Sequence, residues 1–135
     1  MNQESREEYI RIKNFTDLKA WREGHDLVLR IYAVTEDFPK KETFGLVSQM
    51  RRAALSITSN IAEGFSRQTK KEKQQSFHVS LGSTSELQSQ LFVTRDTYLI
   101  DKECFNELYL QTVKVHKLTN GLMKGAQKRS LSGLT

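Results

Sequence analysis

The sequence predicts an all-α fold, an antiparallel up-down-up-down four-helix bundle, on three observations. One proline and seven glycines in 135 residues leave too little punctuation for a many-stranded fold, which needs turn signals every ~8–12 residues. Four long segments carry apolar residues at the helical period. Only short breaks separate them, and short connections make neighbouring helices antiparallel.

Residues 1–14 show no period and read as a flexible lead-in. Thr16 or Asp17 can cap a first helix running to about Phe38, where Pro39 stops it. The turn KKET leads to Thr43, the expected cap of a second helix reaching about Phe65. Thr69 and Glu72 form a capping box, T-K-K-E, that starts a third helix ending about Leu99. Asp101 caps a fourth, which ends near Gly125. The bundle therefore spans residues 15–125, and residues 126–135 form a basic flexible tail.

Side chains placed around each helix give one apolar stripe on three of the four. The second helix gathers Leu46, Met50, Ala54, Ile57 and Ile61. On the third, Phe77, Leu81, Thr84, Gln88, Leu91 and Tyr98 share a face. The fourth aligns Phe105, Leu108, Thr112, Val115, Leu122 and Met123. The first helix differs, because Leu18, Trp21, Val28, Leu29 and Tyr32 form one stripe while Ala20, Leu27, Ile31, Val34 and Phe38 form a second beside it. A helix apolar over so wide an arc wants cover on two sides, so Leu27, Ile31, Val34 and Phe38 are the candidate surface of a homo-oligomer. The alternative is a slightly apolar exposed face.

The inventory for catalysis and metal binding is thin. His25 and His116 fall on core faces with no metal-ligand spacing around them, so core or core-edge histidines are expected and no metal. The lone Cys104 excludes an internal disulfide, suits a reducing compartment and reads as structural. No nucleophile elbow, P-loop or dinucleotide fingerprint occurs. The expectation is a non-enzyme without cofactors. MNQESREEY resembles no targeting peptide, and no apolar run approaches the ~20 residues of a membrane span, so a soluble cytoplasmic protein is expected.

Charge is the more informative signal. The formal net charge is +5, and no acid follows Glu107. Lys114, Lys117, Lys124 and Lys128 fall on one face of the fourth helix, followed by Arg129. A second basic stretch, RQTKKEK, contributes Lys70, Lys71 and Lys73. An unscreened positive ridge matches a phosphate backbone. Lysines near a helix C-terminus also favour the macrodipole and solubility, which is the plainer reading. Without interleaved aromatics there is no stacking platform for single strands.

The stretch RRAALSITSNIAEG carries Arg51, Arg52, Asn60, Glu63 and Gly64. Helical placement separates the two arginines: Arg51 falls beside Leu55, Thr58 and Ala62, whereas Arg52 falls with Ser56, Ser59 and Glu63. Arg52 can reach Ser56 or Glu63, Asn60 can bond a neighbouring helix, and Gly64 reads as a helix C-terminal signal. Structural bonding is the expected role.

The run GLVSQMRRAALSITSNIAEGFSR, Gly45 to Arg67, resembles the signature of the 23S rRNA intervening-sequence proteins. DLKAW, DFP, Phe77 and LGSTSEL, which adds Glu86 to the motif, follow in order over roughly Phe15 to Lys124. Relatives in that family usually carry proline where this chain has Thr58. The resemblance implies a left-handed four-helix bundle that assembles into a ring-like homo-oligomer, typically a pentamer. It also implies distant kinship with accessory proteins of diversity-generating retroelements, which bind reverse transcriptase and nucleic acid. The function expected is binding of nucleic acid, most simply structured RNA, with self-association as the first partnership. The rival is an assembly scaffold for another protein, with charge serving solubility; a more remote one is an enzyme with a site at subunit interfaces.

Overall fold

A computed structural model describes residues 12–133, with side chains described as far as residue 126. Four helices make up the fold: α1 (Lys19–Glu36), α2 (Ser48–Ser66), α3 (Lys70–Asp96) and α4 (Lys102–Gly133). No strand occurs among the described residues, and no helix there is long and apolar enough to cross a membrane.

The helix starts show which local signals prevail. Asn14, rather than Thr16 or Asp17, is the first cap: its side chain accepts the Thr16 N–H at 2.9 Å, opening a 3-10 turn, Phe15–Asp17. The Asp17 carboxylate accepts the Lys13 and Asn14 N–H groups, which hold it below the usual carboxylate range. Thr43 does not cap α2; it opens a π-helical turn, Thr43–Val47, that runs straight into that helix. Thr69 does cap α3, accepting the Glu72 N–H at 3.2 Å while its hydroxyl meets the Glu72 carboxylate at 2.8 Å. Asp101 caps α4 through the Cys104 N–H at 2.7 Å. Gly125 does not end α4, whose backbone continues to Gly133. A glycine lowers helix propensity without imposing a stop.

At the end of α3, Tyr98 takes a left-handed backbone, φ 62°. Its N–H bonds to Arg95 O and the Leu99 N–H to Thr94 O, the pairing of a Schellman cap with tyrosine where glycine is usual.

Contacts fix how neighbours run. Gly24 faces Thr58 while Thr35 meets Arg51, so α1 and α2 are antiparallel. Gly64 lies on Phe77 and Ser56 meets Ser83, which sets α2 against α3. Gln88 donates to Thr112, and Phe92 touches Phe105 and Tyr109, which sets α3 against α4. Gln111 and Lys114 of α4 reach Asp26 and Glu23 of α1.

The core combines Leu27, Ile31, Met50, Ile57, Ile61, Leu87, Leu91 and Val115 with wholly buried Thr84, Thr94, Thr112 and Thr119. Each of these threonines donates its hydroxyl to a carbonyl three or four residues earlier in its own helix. Satisfied in this way, a threonine fills space as a small apolar side chain. That is how a chain only 37% hydrophobic closes a continuous interior.

Gly64 is a point of close approach between α2 and α3. A Cβ there would fall 2.4 Å from the Phe77 ring, so the glycine serves helix approach rather than termination, and α2 runs on past it to Ser66. Gly64→Ala is expected to lower unfolding free energy by about 1–3 kcal/mol, the usual cost of overpacking. Chemical denaturation checks this, and Phe77→Leu in the same chain should recover part of the loss.

Candidate nucleic-acid interface

The signature stretch of α2 is bonded inward. Arg51 donates from Nε to Thr35 Oγ1 at 3.0 Å and from one terminal nitrogen to Tyr32 O and Glu36 at 3.3 Å, and its guanidinium lies 4.5 Å from the Tyr32 ring centre. It pins α1 to α2. Arg52 is exposed and donates to Gln49 at 2.9 Å, not to Ser56 or Glu63. Asn60 bonds its own helix, at Ser56 O and Oγ, rather than a neighbour. Ser56 in turn meets Ser83 Oγ at 2.7 Å, and Ser80 donates to Ile57 O at 2.9 Å, so the α2–α3 bridges come from serines. Their small size is visible in the sequence, but not which of them meet. Glu63 pairs with Arg67 at 3.9 Å, and exposed Glu86 accepts from Gln90.

The basic residues divide into spent and unspent charges. Lys114 pairs with Glu23 of α1 at 2.9 Å, so the ridge is not free of acid as expected; a partner 91 positions away is invisible to helical placement. Lys73 donates to Gly64 O and Phe65 O, closing the C-terminal end of α2. Lys71, Lys117 and Lys124 are exposed and Lys70 half-buried, and among the described residues none of the four has an ion-pair or hydrogen-bond partner. The side chains of Lys128 and Arg129 lie outside the described residues.

The register of α3 against α4 relates the two basic stretches. Continued down both helices from the Gln88–Thr112 contact, it sets Lys70 and Lys71 level with the last turns of α4, beyond Lys124. Lys124 thus lies toward the end of the bundle that holds Lys70 and Lys71, whereas Lys114 and Lys117 lie level with the middle of α3.

The candidate oligomer surface requires correction. Leu27 and Ile31 are 0% exposed within a single chain, and Val34 and Phe38 pack half-buried on the same core. Both apolar stripes of α1 are consumed mainly inside the bundle, because α2 and α4 cover it on two sides. What α1 leaves exposed is Leu29 and Tyr32, and α2 adds Leu55 one turn from Arg51. His25 is exposed and stacks on Trp21 at 4.7 Å, while His116 is half-buried on α4. Among the described residues, no three His, Cys, Asp or Glu side chains gather as a metal site. Cys104 is half-buried, and burial, with Asp101 and Glu107 nearby, raises its thiol pKa above the ordinary value.

Comparison with known proteins bears on this arrangement. A family model described as 23S rRNA-intervening sequence protein matches residues 16–121. Among solved structures, the chain is similar to a protein of unknown function from the S23 ribosomal protein family of Bacteroides thetaiotaomicron. The match has a TM-score of 0.72 and 19% identity, over 78% of this chain and 95% of that one. At that identity the likeness speaks for the fold alone. No curated protein matches.

The contacts of α2 separate a structural role from a binding role. Arg51→Ala removes an interhelix clamp and is expected to cost about 1–2 kcal/mol. Asn60→Ala removes bonds within one helix and should cost no more than about 1 kcal/mol. Neither should change nucleic-acid affinity measured on folded protein. A folded Asn60→Ala protein that failed to bind would make the stretch a ligand site.

Proposed function

We propose that this chain, which belongs to the 23S rRNA-intervening sequence protein family, is a non-enzymatic homo-oligomeric protein that binds nucleic acid, most simply structured RNA. The observation that carries the reading is a group of cations on two neighbouring helices that the fold leaves unpaired. Lys70, Lys71, Lys117 and Lys124 belong to adjacent helices and have no partner among the described residues. Side chains without internal partners are free to neutralise phosphates and release counterions. None of the large exposed aromatics, Tyr32, Phe44, Phe92 and Tyr98, belongs to α4. That favours phosphate contact over base stacking, and with it a duplex or folded RNA.

The pairwise antiparallel contacts support an up-down-up-down bundle, and the family resemblance implies a ring, most simply of five subunits. Leu29, Tyr32 and Leu55 supply exposed apolar area for the subunit contact, in place of Leu27 and Ile31. A ring multiplies each subunit's modest basic surface by avidity. The rival reading, a scaffold for a protein partner, draws on Phe44 and Tyr98, which are 95% and 91% exposed. Aromatic anchors of that kind are enriched in protein interfaces. A cytoplasmic location fits either reading.

One set of measurements tests the proposal. Light scattering should give a mass several times 15.6 kDa, reduced by Leu29→Glu with Leu55→Glu. Anisotropy titration of a labelled RNA duplex should show affinity falling steeply with salt. Gln at Lys70, Lys71, Lys117 and Lys124 together should flatten the log–log salt plot by up to about one unit for each phosphate left unneutralised. Lys114→Gln should do less, since Glu23 already neutralises it. Absence of binding at low salt would leave the scaffold reading.

A further inference from the structure

Gly121 lies at the middle of the outer face of α4, on the stripe that carries Lys114, Lys117 and Lys124. It is exposed, and a Cβ built on it would meet nothing within 4 Å. Internal packing therefore does not account for it, unlike Gly64 or Gly24, which sit against Phe77 and Thr58. Glycine is among the poorest residues for a helix interior, and alanine would fit this position without strain. Gly45, Gly82 and Gly125 are equally open, so openness alone does not mark a site; it leaves room at Gly121 for close approach by something outside the chain.

The neighbours say what approaches. Lys117 and Lys124 stand one turn to either side of Gly121, both exposed and unpaired among the described residues. No acid occurs in the chain after Glu107, and the acid that reaches this stripe from α1, Glu23, is held by Lys114. A second copy packed here through its own α4 would bring lysines against lysines, and the exposed apolar area for a contact between ring neighbours lies elsewhere, at Leu29, Tyr32 and Leu55. An anionic backbone meets the opposite situation. It can settle against the uncovered helix at the glycine and take one lysine on each side.

We propose that the phosphate backbone of a nucleic-acid duplex crosses α4 at Gly121, gripped by Lys117 and Lys124. This rests on the nucleic-acid reading of the protein and specifies its contact point. Gly82 supplies the internal control. It too is exposed with open space around it, but it lies on α3 with Glu86 one turn away and no lysine on that turn.

The test is Gly121→Leu in the full chain, titrated with a short RNA duplex beside wild type and Gly82→Leu. Leucine is a good helix former and meets no obstacle here, so the thermal midpoint should hold or rise. Affinity should fall on the order of tenfold, the loss of about one charge-assisted contact. The salt dependence should become shallower, and Gly82→Leu should bind as wild type does. Unchanged affinity of Gly121→Leu beside a binding wild type overturns the crossing point and leaves the functional reading standing. A wild type that binds no RNA or DNA at low salt overturns both. A Gly121→Leu protein of lower oligomeric mass overturns the proposal by making the glycine a contact between copies.

Discussion

The close seating of α2 on α3 sets the register from which the rest of the bundle follows. Phe77 lies directly on the backbone of Gly64, where no Cβ can stand. One to two turns further along, Ser80 reaches Ile57 O and Ser83 meets Ser56. These are directional contacts, and a slip of one residue would break all three. Once α3 is fixed, Gln88 and Phe92 fix α4 through Thr112, Phe105 and Tyr109. α4 then meets α1 through Gln111 and Lys114, and Arg51 returns the circuit from α1 to α2. The placement of every lysine on α4 is thus set two helices away. Buried threonines bonded to their own helices let this happen in a chain poor in apolar residues.

Net charge says little about function here until the spent charges are subtracted. Several of the basic side chains support the fold: Arg51 clamps two helices, Lys73 closes a helix end, Lys114 ties α4 to α1, and Arg95 lies over Phe92 and Phe105. Desolvated or paired cations of this kind offer little to a solvent ligand. Of the lysines left over, Lys70 and Lys71 begin α3 and Lys117 and Lys124 line α4, while Lys40, Lys41 and Lys102 stand at the opposite end of the bundle. Electrostatic binding to phosphates depends on such local surplus rather than on the total.

Much of the fold is legible in the sequence, and the departures share a cause. Four helices, the Thr69 and Asp101 caps and the core faces of α2 and α4 follow from short-range patterns, which sequence states directly. Leu27 and Ile31 read as a subunit contact because a wide apolar arc can be covered by another subunit as well as by two helices of the same chain. Gly64 reads as a helix stop because the ring that needs its missing Cβ lies thirteen residues on, in another helix. The partners of Lys114 and Lys73 are hidden for the same reason. Local periodicity shows which face a residue occupies; it does not show what stands opposite.

The central claim is that Lys70, Lys71, Lys117 and Lys124 are the surface that meets nucleic acid. Lysine-acylation footprinting by mass spectrometry, with and without a short RNA duplex at low salt, tests it residue by residue. The account expects protection at Lys70, Lys71, Lys117 and Lys124, while Lys40, Lys41 and Lys102, at the opposite end of the bundle, stay as reactive as in free protein. Uniform reactivity with and without RNA would contradict it, and so would protection confined to Lys40, Lys41 and Lys102.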